Sequence, residues 1–145
     1  MRSLIITTIL VLLGISGSLG QEVYAKKGIA NEGYDLVSYF DGTPQKGSKA
    51  FAYSYMDVSY HFSSKVNLEK FKANPTAYLP EYGGFCAYAV AKTGDKVSVN
   101  PKTFEIRDGK LYLFYNSWGN NTLNKWLKDP EALKEQADAN WQNQG

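Results

Sequence analysis

The chain is poor in the residues that most often hold a small exported protein together or arm its active site. It has one cysteine, Cys86, and one histidine, His61, in 145 residues. A single thiol excludes an internal disulfide, so Cys86 is buried, bound to something or reactive. With one residue of each kind there is no C-x-x-C or H-x-x-x-H arrangement to frame a metal site by spacing. Neither charge dominates: 16 Lys and Arg stand against 14 Asp and Glu, for a formal net charge of +2. That balance, with no basic run, excludes a nucleic-acid-binding surface. No internal repeat and no low-complexity linker interrupts the chain.

Long apolar runs are also missing, apart from one at the start. Met1-Arg2-Ser3 carries a single positive charge, and the stretch 4–15 is apolar apart from Thr7, Thr8 and Gly14. This run is too short for an ordinary membrane-spanning helix. Ser18 and Gly20 follow in the minus-three and minus-one places of a cleavage site. Residues 1–20 therefore read as a signal peptide, with a cut after Ala25 as the alternative and a retained membrane anchor as the competing interpretation. Gln21 stands where a lipoprotein would need cysteine. The expected product is secreted or periplasmic, with no stable membrane insertion after cleavage. Residues 21–30 read as an N-terminal extension and 31–145 as one domain with a modest core.

Aromatic residues are plentiful: 11 Tyr, 7 Phe and 3 Trp. Without a disulfide, stability must come from packing these rings. The run 34–40 is apolar and β-favouring, and predicts a strand closed by Asp41-Gly42-Thr43-Pro44. Phe51, Tyr53 and Tyr55 alternate with small residues, as do Val58, Tyr60 and Phe62, which predicts a hairpin turning near Met56-Asp57. Ser64 is a good N-cap for a short helix that ends before Asn74-Pro75. The segment 85–91 reads as a strand with Cys86, Tyr88 and Val90 on one face. Asp108-Gly109 marks a second hairpin. A short helix is expected around 124–127. Asp129 then caps a last helix, with Pro130 at its first position and Leu133, Ala137 and Trp141 along one face. The pattern is α+β: a small antiparallel sheet built from hairpins, with short helices packed on one side.

Several segments, taken in order, carry a resemblance. They are 33–40 (GYDLVSYF), Tyr60-His61-Phe62-Ser63-Ser64, Phe71, Asn74-Pro75, Tyr78, 82–87 (YGGFCA) and 108–113 (DGKLYL). Together they span roughly 31–142, and the chain resembles a YHS-domain protein of the exported, single-domain kind. The resemblance implies a YHS-like fold and, in the metal-handling members, a pair of cysteine ligands at the start of the short helix. The corresponding positions here are Ser63 and Asn67, and Val66 stands where the family's histidine often falls. Soft metals need thiolate or imidazole ligands, so this chain departs from the family's metal site.

Any other metal site must draw on Cys86, His61 and Met56, with Asp35 as a carboxylate ligand. Such a set would suit copper or a similar ion. The glycine pair Gly83-Gly84 ahead of Cys86 allows a tight turn or a close approach to a ligand. Each candidate also has a plain structural role: Cys86 as a buried small hydrophobe, His61 as a hydrogen-bonded or surface histidine, Asp35 as an Asx turn. The stripe Tyr53, Tyr55, Tyr60, Tyr112 and Tyr115 reads as sheet core or as a stacking platform for a ligand. The expectation is an exported binding module for a metal ion or small ligand near Cys86, rather than an enzyme. The alternatives are a thiol-dependent enzyme or redox protein, and an interaction module without a ligand.

Overall fold

Glycine and left-handed residues set the hairpins. The computed structural model describes residues 22–144, so the expected signal peptide lies outside the described residues. Four hairpin turns take positive φ at both central residues: Lys27 and Gly28, Met56 and Asp57, Asp108 and Gly109, Trp118 and Gly119. This type I′ geometry matches the natural twist of paired strands. The turns join β1 (Ala25–Lys26) to β2 (Ile29–Ala30), β3 (Ser48–Tyr55) to β4 (Val58–Phe62), β5 (Asn100–Arg107) to β6 (Lys110–Phe114), and β7 (Asn116–Ser117) to β8 (Asn120–Asn121). The helices are α1 (Lys65–Ala73), α2 (Ala87–Thr93), α3 (Thr122–Trp126) and α4 (Pro130–Gln142). The fold is α+β.

Both predicted hairpins form, with Tyr53 opposite Tyr60 in one and Glu105 opposite Tyr112 in the other. The sheet differs from the expected single antiparallel one. Strands run in the order β1-β2-β4-β3, with β2 parallel to β4 through Ile29 and Ser59, while β5-β6 and β7-β8 stay separate two-stranded ribbons. Residues of the expected N-terminal extension thus pair into the main sheet.

Two of the expected strands are helical turns. In the run 34–40 only a single bridge, Tyr34 to Lys46, is extended. The Asp35 carboxylate accepts the N–H of Val37 at 2.8 Å, which winds Val37–Asp41 into a 3-10 turn stopped by Gly42 at φ 89°. The expected Asx geometry is present and overrides the β propensity of the run. In 85–91, Ala87, Ala89 and Ala91 favour helix. Their neighbours fit a helical period as well as an alternating one: Ala87, Val90 and Ala91, at i, i+3 and i+4, form the buried stripe of α2. Gly94, left-handed at φ 76°, ends it. Cys86 is the N-cap residue of that helix, not a strand residue.

Ring packing builds the core in two halves. Phe71 of α1, fully buried, lies 5.0 Å from the rings of both Tyr60 and Phe62 and within 6.2 Å of Tyr53 and Tyr55. Burying one such ring contributes about 2–3 kcal/mol. In the other half Trp126 of α3 packs on Tyr112 and Phe114 of β6, at 5.5 and 5.4 Å. Tyr39 joins the halves: its ring meets Phe104 edge-on at 5.1 Å, and its hydroxyl donates to the Pro101 carbonyl. The predicted face of α4, Leu133, Ala137 and Trp141, is buried.

Gly83 marks the tightest approach of two chain segments. It holds φ 64°, and a Cβ there would collide with the Glu22 carbonyl. Gly83→Ala is therefore expected to cost about 2–4 kcal/mol of stability, from left-handed strain and overpacking together. Urea unfolding of the variant beside wild type measures it; an unchanged midpoint would contradict this packing.

Candidate functional site

The three residues singled out from sequence occupy three different surroundings. Cys86 is fully buried. Its Sγ lies 3.3 Å from Thr122 Oγ1, and that hydroxyl already donates to the Tyr115 carbonyl at 2.7 Å. The thiol proton must therefore point at Thr122 Oγ1. The backbone N–H of Cys86 donates to Val97. The glycine pair ahead of it leaves the thiol sealed in the core rather than at a rim.

Asp35 is also fully buried, and its carboxylate accepts five hydrogen bonds. Oδ1 takes the N–H groups of Val37 and Ser38, at 2.8 and 3.3 Å. Oδ2 takes the Ser63 N–H at 2.9 Å, the Ser63 hydroxyl at 2.7 Å and the Asn67 side-chain N–H at 2.8 Å. Ser63 and Asn67 are the residues at which the resemblance to metal-handling YHS domains implies cysteines. Here they converge on a carboxylate that sits just ahead of α1, where the helix dipole favours negative charge. A soft ion finds neither a thiolate nor a free carboxylate oxygen at this place, so the residues present do not fit the family's metal site.

His61 lies on the face of β4 opposite the core rings, in a shallow concavity with Gly33, Gly47 and the lysines Lys26, Lys46 and Lys49. It is only 9% exposed. Burial first, and then the charges of Lys49 and Lys46, push its pKa below the ordinary histidine value. Among the described residues no group of three or more His, Cys, Asp and Glu side chains is placed to hold a metal ion. Cys86, His61 and Asp35 do not come together.

What the fold does build is a cleft of about 550 Å³ that sequence reasoning did not single out. Its walls come from distant segments: Val23 and Tyr24, Asn31 and Leu36, the β3-β4 turn with Tyr55, Met56, Asp57 and Val58, then Leu79 and Pro80, Gly83 and Gly84, and Trp141. Two consecutive left-handed triplets meet here. Asn31, Glu32 and Gly33 hold φ of 50°, 53° and 80°; Tyr82, Gly83 and Gly84 hold 56°, 64° and 85°. Left-handed backbone costs an ordinary residue about 1–2 kcal/mol, and such strain clusters at functional sites. Tyr24 bridges the triplets through its backbone, donating to the Gly83 carbonyl at 2.8 Å and accepting from the Asn31 N–H at 3.2 Å. Burial, followed by the neighbouring Tyr55, pushes the Tyr60 phenol up to about 12, so it stays protonated in the wall. The only sequence signals were Gly83-Gly84 and the tyrosine stripe; Tyr55 and Tyr60 line the cleft, while Tyr112 is core.

Two tests follow from the placement of Asp35 and His61. Asp35→Asn turns one acceptor oxygen into an N–H2 group facing donors, and is expected to cost about 3–5 kcal/mol in urea unfolding. For His61 the folded pKa is depressed, so the unfolded chain binds the proton more readily below pH 6.5. Stability should then fall as pH drops from 6.5 toward the folded value. His61→Gln should lose less stability than wild type between pH 7.5 and 5; parallel curves would refute the depressed pKa.

The family model of the YHS domain matches residues 36–82. The match runs from the turn after Asp35, through the β3-β4 hairpin and α1, to the first residue of the second left-handed triplet. Cys86 lies just beyond it. No curated protein and no solved structure matches the chain. With the ordered motifs and the α+β fold, the match supports a YHS domain at residues 36–82 of this chain.

Proposed function

We propose that the chain is an exported, non-catalytic binding module that takes a small organic ligand in the cleft between Tyr24, Asn31, Val58 and Gly84. The observation that carries this reading is the cleft itself. Its volume of about 550 Å³ lies within the usual range for small-molecule sites. Its lining is mostly apolar and its walls depend on strained backbone. The location of the ligand thus moves from Cys86 to this cleft. Neither a soft metal nor thiol chemistry at Cys86 is favoured, because the thiol is sealed and bonded to Thr122. Reaction with a substrate would need a nucleophile and a base in reach of each other. Cys86 and His61 sit in separate surroundings. Export rests on the charged start, apolar run and small residues of 1–20.

The neutral fluorophore N-phenyl-1-naphthylamine tests this. Added to the full chain, it should gain fluorescence on entering the cleft, with a dissociation constant in the micromolar range typical of small apolar ligands, about −8 kcal/mol. Val58→Trp, which places a large ring in the cleft from β4, should abolish the gain while the urea midpoint stays within about 1 kcal/mol of wild type. Equal binding by both proteins would place the probe elsewhere and remove the support for the reading.

A further inference from the structure

On the face of β4 turned away from the core rings, the concavity around His61 measures about 380 Å³, and its charges do not balance. Lys26, Lys46 and Lys49 line it with a single acid, Glu32. That carboxylate is already engaged: one oxygen pairs with Lys26 at 3.4 Å and the other accepts the Tyr24 hydroxyl at 2.9 Å. Lys46 reaches only the Glu32 carbonyl, at 2.7 Å, with its ammonium 5.2 Å from the centre of the Tyr34 ring. Neither Lys46 nor Lys49 meets a carboxylate among the described residues. His61 is 9% exposed, and neither of its ring nitrogens has a hydrogen-bond partner among the described residues.

The backbone holds these groups together. The Gly47 N–H donates to the Gly33 carbonyl at 2.7 Å, and a Cβ on Gly47 would collide with the His61 backbone. The segment that carries Lys46 is thereby pressed onto β4. At Gly33 a Cβ would stand 3.5 Å from His61 Nδ1 and 3.7 Å from Lys46 Cε. This glycine, left-handed at φ 80°, leaves open the space between an imidazole nitrogen and a lysine stem.

Like charges held together raise one another's energy, and a counter-ion removes that cost. The same charges repel a metal cation. A divalent oxyanion offers an acceptor oxygen to each of two ammonium groups and to an imidazole N–H. A halide brings one charge and no set of oxygens to spread over three donors.

We propose that this concavity binds a small divalent oxyanion, sulfate or phosphate, held by Lys46, Lys49 and the imidazole of His61. The site is separate from the cleft and does not depend on it. Its affinity rises with acidification. In the empty concavity burial first, and then Lys49 and Lys46, hold the His61 pKa down. Lys26 and Glu32, the other charged groups lining the concavity, pair with each other. A bound dianion reverses the sign of the local charge and favours the imidazolium, which donates from both nitrogens. By linkage, the factor that protonation gains in affinity returns as a raised pKa when the ion binds.

His61 is the sole histidine, so its Cε1–H proton resonance in the untagged full chain reports on this site alone. That signal is titrated over about pH 5 to 8 in sulfate and in chloride of equal ionic strength. Sulfate is a dianion over the whole range, so its own protonation plays no part. It should raise the His61 pKa by about one unit, equivalent to tenfold tighter binding to the protonated form, and the rise should saturate. The double variant Lys46→Gln/Lys49→Gln should show a higher pKa in chloride and no further rise in sulfate. Equal wild-type pKa values in the two salts would overturn the site, whether or not the variant folds. A rise that grows without saturating, or one that persists in the double variant, overturns it too.

Discussion

One buried carboxylate, just ahead of the segment that the family model matches, organises that part of this protein. Asp35 binds the start of the 3-10 turn with one oxygen and the approach to α1 with the other. These segments are far apart in sequence, and a hydrophobic core alone would bring them together without fixing their register. Five donors on one anion do fix it, because a charged hydrogen bond is short, directional and costly to leave unmade. Once the turn is anchored, Tyr39 lies where its hydroxyl meets both Asn31 and Pro101, and the two halves of the core share one pivot. The geometry at Asn31, and with it the wall of the cleft, is downstream of that carboxylate.

The same knot bears on the family comparison. Where the resemblance implies two cysteine ligands for a soft ion, Ser63 and Asn67 close on Asp35. A negative group is held there by donors from separate segments.

Periodicity made much of the fold legible. The alternation of Phe51, Tyr53 and Tyr55 against Tyr60 and Phe62, the Asp108-Gly109 turn, and the caps Ser64 and Asp129 all signal their elements locally, because each rests on nearest-neighbour physics. The run 34–40 misled because one side chain, Asp35, competes for the backbone N–H groups that a strand would need. The segment 85–91 misled because Ala87, Val90 and Ala91 satisfy a helical period while Cys86, Tyr88 and Val90 satisfy an alternating one. The cleft was hidden for another reason. Its walls come from residues as far apart as Val23 and Trp141. No local pattern encodes a cleft assembled from such distant segments.

The bridge made by Tyr24 also bears on the proposed removal of a leader. Glu22 presses on Gly83, and Tyr24 ties the two left-handed triplets together. A leader removed after Gly20 leaves this strap whole. A cut after Ala25 would delete Val23 and Tyr24, open one side of the cleft and release both triplets from their shared anchor. On the proposed reading of residues 1–20 as a leader, the packing of Val23 and Tyr24 therefore favours the earlier of the two cleavage positions.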